Sequence, residues 1–150
     1  HLLRKPPYNL SVGEKRMVTL ASVIAYDPEV ILLDEPTANL SAGTIKEIEW
    51  VIEDFRNKNK AVVIASHDVE FIAEVSNRVY ILNNGSTRGG LDTESVLSDE
   101  SLLALADMRL PLVLQTLRLL RSKLRDYPMT IKDLAEIMGS AAYEDQNPKD

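Results

Sequence analysis

The sequence predicts an α/β fold, based on two short apolar runs and a helical pattern between them. Residues 30–33 (Val-Ile-Leu-Leu) and 61–65 (Ala-Val-Val-Ile-Ala) are continuous apolar runs of strand length. Such runs are typical of central strands in a parallel sheet, where helices cover both faces. Between them, apolar residues recur at helical spacing from about residue 44 to residue 55. This order, with short links, indicates parallel strands with flanking helices.

The other elements can be placed from the signals at their ends. Ser11 is well placed to begin a helix that Asp27-Pro28 ends, with an apolar stripe of Met17, Leu20, Ala21 and Ile24. A short helix is predicted to start near Val69. A terminal hairpin at a sheet edge should then turn at residues 83–85 (Asn-Asn-Gly), because Asn and Gly tolerate positive φ. Gly89-Gly90 is expected in a turn after this hairpin.

From Leu91 onward the pattern becomes that of a small helical C-terminal extension. Leucines at helical spacing predict an amphipathic helix with Pro111 near its first turn; they are Leu110, Leu114, Leu117, Leu120 and Leu124. Thr130 and Asp133 are expected to cap a last helix that carries Ile131, Leu134 and Ile137. Residues 139–150 are polar, and we expect a flexible tail there.

Composition narrows the classes of function. Hydrophobic residues make up 45% and charged residues 27%, as in globular proteins. The net charge of −6 argues against nucleic-acid binding, which needs a basic surface. No apolar run approaches the ~20 residues needed to cross a bilayer, so membrane contact is expected to go through a partner. Cysteine is absent, which excludes disulfides and thiolate metal sites within these residues.

Two adjacent carboxylates, Asp34 and Glu35, follow the first apolar strand. A strand of this kind delivers them to the carboxyl edge of the sheet, where α/β proteins bind ligands. Asp34 is suited to Mg²⁺, directly or through water. Glu35 is suited to polarise an attacking water. The alternative is a strand that simply ends in solvated acids, with Glu35 capping a turn.

Two further elements lie where phosphate chemistry requires them. Leu10-Ser11-Val12-Gly13-Glu14 stands at a predicted helix start, where backbone N–H groups and the helix dipole attract anions. Ser66-His67-Asp68 follows the second apolar strand, so His67 should emerge at the same edge as Glu35. Taken singly, a serine before a helix is common capping chemistry, and a lone histidine is more often structural than catalytic. Their occurrence in this order is much less expected by accident.

The order of these three elements resembles the signature motif, the Walker B motif and the switch histidine of ATP-binding-cassette (ABC) ATPases. The resemblance covers about residues 4–91 and implies part of a P-loop NTPase-like cassette, with ATP and Mg²⁺ as cofactors. It implies that Asp34 organises the metal, that Glu35 is the catalytic base, and that His67 contacts the γ-phosphate. Ser11 and Gly13 would reach ATP bound to a partner subunit. The implied cofactor-binding set is Ser11, Val12, Gly13, Glu14, Asp34 and Ser41.

The chain departs from the family pattern in several places. The signature usually has two glycines, and Val12 stands at the first, where a β-branched residue resists positive φ. Residues 38–41 (Ala-Asn-Leu-Ser) stand at the position of the family's D-loop, and Ser41 replaces the aspartate that usually ends it. Glu14 replaces the more frequent glutamine of the signature. No Gly-x-x-x-x-Gly-Lys-Ser/Thr loop occurs in the 150 residues. We therefore expect a piece of a longer cassette that does not bind ATP detectably or hydrolyse it alone.

Within the family, the chain resembles the ATPases of cobalt, nickel and vitamin importers of the energy-coupling-factor type. The features that carry this are Pro6-Pro7-Tyr8, Gly13-Glu14-Lys15-Arg16 and the leucine-rich C-terminal segment. The resemblance implies a second ATPase subunit, identical or different, a transmembrane partner, and a cytoplasmic location at the membrane. The expected organisation is a cassette part (residues 1–91), a helical extension (92–138) and a tail (139–150). Alternatives are a soluble ABC ATPase of DNA repair or chromosome maintenance, and a catalytically silent assembly domain.

Overall fold

The computed structural model describes residues 5–119 and 128–146. The chain divides into two compact units, His1–His67 and Asp68–Asp150, which we call the first and the second unit. The three segments 1–4, 120–127 and 147–150 lie outside the described residues, and with them the predicted helix positions Leu120 and Leu124.

In the first unit, helices and parallel strands alternate as predicted. A short 3-10 turn, Pro7–Asn9, precedes the first helix. The elements that follow are α1 (Val12–Ile24), β1 (Val30–Asp34), α2 (Ala42–Asn57) and β2 (Ala61–Ala65). The two strands pair in parallel, from Val30 opposite Ala61 to Asp34 opposite Ala65. The predicted α/β class is confirmed, and the paired strands end at a common edge.

The strands are not covered on both faces, and that expectation is wrong for the described residues. Ile31 is buried, but Leu32 is 75% exposed and its register partner Val63 is 56% exposed. Among the described residues β1 and β2 have only each other as strand partners, and α2 packs against one side, where Ile48 is buried. The alternation of strand side chains then leaves every second apolar residue in water. We call the side bearing Val30, Leu32 and Val63 the bare sheet face.

The second unit joins a helix and a hairpin to a set of short helices. Its elements are α3 (Val69–Val75), β3 (Arg78–Asn83), β4 (Ser86–Asp92), α4 (Thr93–Leu97), α5 (Glu100–Ala104), α6 (Leu112–Leu119) and α7 (Ile131–Gln146). One buried apolar cluster holds them together, and it comprises Val79, Ile81, Val96, Leu97, Leu103, Leu110, Leu114 and Met129. This core lies between the inner face of the hairpin and the leucines of the helical segment.

The hairpin turns where the sequence predicts. Asn84 and Gly85 both have positive φ, 46° and 74°, which matches the right-handed twist of the flanking strands. Gly89-Gly90, however, lies inside β4 and not in a turn after the hairpin. Both glycines have positive φ and sit beside an irregularity in the register at Val79/Tyr80. The glycine pair is therefore a β-bulge. Gly90 is required in it because a side chain there would collide with the Tyr80 ring.

The C-terminal helices begin largely as predicted. Pro111 is buried directly before α6, where its missing N–H costs nothing. Asp133 accepts hydrogen bonds from the amides of Met129 and Thr130, and the Thr130 hydroxyl accepts one from the Asp133 amide (3.2 Å). The expected capping of α7 is therefore confirmed. The backbone is helical as far as Gln146, which includes most of the segment 139–150.

Candidate functional site

Glu35 and His67 meet at the carboxyl edge of the two paired strands. Because Asp34 lies opposite Ala65, the residues that follow each strand are neighbours, and the Glu35 amide donates to the Ala65 carbonyl (2.8 Å). Glu35 Oε1 lies 2.7 Å from His67 Nδ1 and accepts a hydrogen bond from the His67 amide (3.2 Å). The Ser66 hydroxyl donates to the other carboxylate oxygen (3.4 Å).

This contact joins a carboxylate to a solvent-facing imidazole. The His67 side chain is 82% exposed, whereas that of Glu35 is 37% exposed. A carboxylate beside Nδ1 fixes the orientation of the ring, so that Nε2 faces away from Glu35. The contact therefore places an oriented carboxylate and an oriented imidazole together at the carboxyl edge of the two strands.

The backbone of Glu35 adopts an unusual conformation. Its φ is +41°, in the left-handed region, and Pro36 follows it. A residue before proline favours extended backbone, so this conformation costs free energy and must be held by its surroundings. The Arg16 guanidinium, from α1, donates to the Glu35 carbonyl (2.6 Å) and lies 3.5 Å from the Asp34 carbonyl. Backbone strain and a charged donor thus coincide at this residue.

Asp34 ends β1 at the same edge, with an exposed side chain. Among residues 5–119 and 128–146, no cluster of three or more candidate metal-binding side chains occurs. Mg²⁺ is commonly bound through one or two carboxylates together with phosphate oxygens and water. An exposed carboxylate such as Asp34 fits that share of a magnesium site, with the remaining ligands supplied by a nucleotide and water.

The signature-like segment forms the start of α1. The Ser11 hydroxyl accepts from the Glu14 amide (3.1 Å), and Glu14 Oε2 accepts from the Ser11 amide (2.8 Å), which is a capping box. Lys5 lies 2.7 Å from the Glu14 carboxylate. Its hydrogen bond, followed by that of the Ser11 amide, lowers the pKa of Glu14. The serine before this helix therefore has the capping role that the alternative interpretation assigned to it.

Val12 is the first residue of α1 and is 63% exposed. It has helical backbone, so the expected conflict between a β-branched side chain and positive φ does not arise. Its bulk does face solvent, at the end of the helix where an anion would approach. Gly13 serves a packing role, because an added Cβ would lie 3.1 Å from the Thr44 hydroxyl of α2.

Ser41 caps the other helix of the first unit. Its hydroxyl accepts from the Thr44 amide (3.3 Å) and lies 3.1 Å from the Thr44 hydroxyl. The starts of α1 and α2 therefore approach each other through Gly13 and Thr44. Sequence reasoning missed Arg16 and Thr44. Arg16 belongs to the segment Gly13-Glu14-Lys15-Arg16, but nothing in its spacing indicates a contact with Glu35.

The chain is similar in sequence to known transporter proteins. A family model described as ABC transporter matches residues 1–38. The energy-coupling factor transporter ATP-binding protein EcfA of Methanococcus maripaludis is 34% identical over 117 residues, covering 78% of this chain and 42% of that protein. EcfA of Methanocaldococcus jannaschii is also 34% identical, over 79% of this chain and 43% of that protein. Over most of its length, the chain is similar to ABC transporter ATP-binding proteins.

A solved structure extends the likeness to the fold. CbiO1 from Clostridium perfringens, part of the ABC transporter complex cbiONQ, is 27% identical with a TM-score of 0.58. The match covers 78% of this chain and 46% of that one. The chain spans less than half the length of these relatives. Among the described residues, no helix is long and apolar enough to cross a membrane.

Proposed function

We propose that the chain is part of the ATP-hydrolysing subunit of an ABC importer of the energy-coupling-factor or cobalt type. The observation that carries the proposal is the contact between Glu35 and His67 at the shared edge of β1 and β2. The relatives named above, which are energy-coupling-factor and cbiO proteins, support the choice of transporter class.

In this proposal Glu35 is the general base and His67 orients the reacting groups. Glu35 accepts a proton from water as the water attacks the γ-phosphorus of ATP, the bond to the β–γ bridging oxygen breaks and ADP leaves. The place of Glu35 beside His67 fixes the direction of the proton transfer. His67 contacts the γ-phosphate through the nitrogen that does not face Glu35. Asp34 supplies a carboxylate ligand for Mg²⁺, which when bound neutralises charge on the phosphates.

The remaining predicted residues act at a dimer interface. Ser11, Gly13 and Glu14 lie at the amino end of α1, where the helix dipole favours the phosphate of a nucleotide held by a second ATPase subunit. The exposed Val12 side chain narrows the space through which this phosphate approaches α1. Ser41 caps α2, whose start lies near the start of α1. ATP binding would clamp the two subunits together and hydrolysis would release them. A transmembrane subunit uses this cycle of binding and hydrolysis to drive transport. The ATP-binding subunit lies against it on the cytoplasmic side of the membrane.

The test is Glu35→Gln in the full-length protein that contains these residues, assembled with its transporter subunits. Loss of the base should lower the ATP hydrolysis rate by about 10²–10⁴-fold while ATP binding is retained. Glu29→Gln is the matched control, because Glu29 is exposed next to the amino end of β1, at the opposite edge. It should leave hydrolysis unchanged.

Two results would reject this proposal. Hydrolysis by Glu35→Gln at the wild-type rate would remove Glu35 from the role of base. A wild-type protein that binds ATP without hydrolysing it, in the presence of its partners, would favour the silent assembly domain.

A further inference from the structure

Arg16 connects the helix of the signature-like segment to the backbone of Glu35. It lies in the second turn of α1, is half-buried, and its Nη2 is 2.6 Å from the Glu35 carbonyl oxygen. The same nitrogen lies 3.5 Å from the Asp34 carbonyl oxygen. A hydrogen bond from a charged donor is about twice as strong as one between neutral groups. Arg16 therefore holds the last peptide groups of the strand from the side of α1.

The conformation of Glu35 needs such a constraint. A left-handed φ in a residue that precedes proline persists only where neighbouring groups determine it. On one side, the Glu35 amide and carboxylate are bound by Ala65, Ser66 and His67 of the β2 end. On the other side, the Glu35 carbonyl accepts a short hydrogen bond from the charged Arg16 (2.6 Å) and a longer one from the Ala38 amide (3.3 Å). Without Arg16, the carbonyl keeps only the longer, uncharged hydrogen bond from the Ala38 amide of the following turn.

We propose that Arg16 is a positioning residue for hydrolysis, which aims the Glu35 carboxylate by fixing its carbonyl. The inference rests on the proposed role of Glu35 as base. Because Ser11 caps the same helix, the arginine also makes the start of α1 and the position of Glu35 interdependent. A shift of the helix start on contact with a partner's nucleotide is transmitted to the base of this subunit through one guanidinium.

The experiment measures steady-state ATP hydrolysis by the full-length protein with its transporter subunits. Arg16→Ala should lower kcat by about tenfold to a hundredfold, because a misplaced catalytic group loses this much, with the KM for ATP changed less than about threefold. Arg16→Lys, which keeps one charged donor, should recover part of the loss. Arg56→Ala is the control, since Arg56 lies in the last turn of α2, which leads to the amino end of β2, and in the described contacts its side chain pairs only with Glu53.

A double variant separates positioning from a general loss of structure. In a Glu35→Gln background the base is already absent, so adding Arg16→Ala should cause less than about a twofold further loss. A full multiplicative loss in that background would overturn the proposal, as would a wild-type kcat in Arg16→Ala. If Glu35→Gln itself hydrolyses ATP normally, the proposed function fails first. If Glu35→Gln is inactive and Arg16→Ala is normal, only the positioning role fails.

Discussion

Leu114 and Leu112 offer a direct test of the core of the second unit. Both lie in α6, but Leu114 is 2% exposed within the apolar cluster and Leu112 is 61% exposed. Replacing Leu114 by alanine removes buried carbons worth about 0.8 kcal/mol each, roughly 2.4 kcal/mol in sum, and leaves a cavity that adds to the loss. We expect the free energy of unfolding to fall by about 3 kcal/mol. The same change at Leu112 should cost about 1 kcal/mol or less, because alanine also favours helix.

The measurement is thermal denaturation, with amide hydrogen exchange of α4 and α5 used to identify the unfolding of this unit. In a domain of this size, 1 kcal/mol corresponds to about 4–8 °C in Tm, so Leu114→Ala should unfold roughly 12–24 °C earlier. Leu112→Ala should stay within about 8 °C of wild type. Equal shifts in the two variants would refute the assignment of Leu114 to the core.

Two further predictions concern backbone conformation and pH. Gly43→Ala, inside α2 with only Ser41 near an added Cβ, should stabilise the chain by about 0.5–1 kcal/mol, whereas Gly85→Ala, at φ +74° in open space, should destabilise it by about 1 kcal/mol; chemical denaturation that gave both variants the same sign would contradict this. The lowered pKa of Glu14, caused first by Lys5, predicts stability present above the unfolded pKa near 4.5 and lost as pH falls through the lower folded value. In acid titrations followed by circular dichroism, Glu14→Gln should remove this part of the pH dependence, and an unchanged profile would exclude the capping carboxylate as its source.

Local signals in the sequence were sufficient for most of the elements. Ser11 before α1, Pro36 after β1 and Asn84-Gly85 in the hairpin each act on their own neighbours, so their effects can be predicted without tertiary structure. The parallel order of β1 and β2 likewise follows from the helix between them. Gly89-Gly90 was misplaced because a glycine pair suits a turn and a bulge equally well, and the Tyr80 ring that decides between them comes from another strand.

The candidate site was predictable only in part, for a related reason. Chain order places Glu35 and His67 after two adjacent parallel strands, so their meeting follows from topology. The arginine that holds the Glu35 carbonyl comes from a helix whose orientation against the strand depends on packing. The exposure of Leu32 could not be predicted either, because an apolar run predicts burial but does not identify which element covers it.

The bare sheet face has a consequence for how substitutions in this protein are interpreted. Leu32 and Val63 are neighbours in register, and within the first unit their side chains contribute little burial. Leu32→Thr should therefore change the free energy of unfolding of these residues very little when they are alone. It should lower that free energy where another surface packs against this side of the strands. Comparing the effect of Leu32→Thr on the isolated residues and on the assembled protein therefore shows whether the bare sheet face is covered. Leu32 contributes little to the stability of its own unit, so its substitution measures the contribution of assembly.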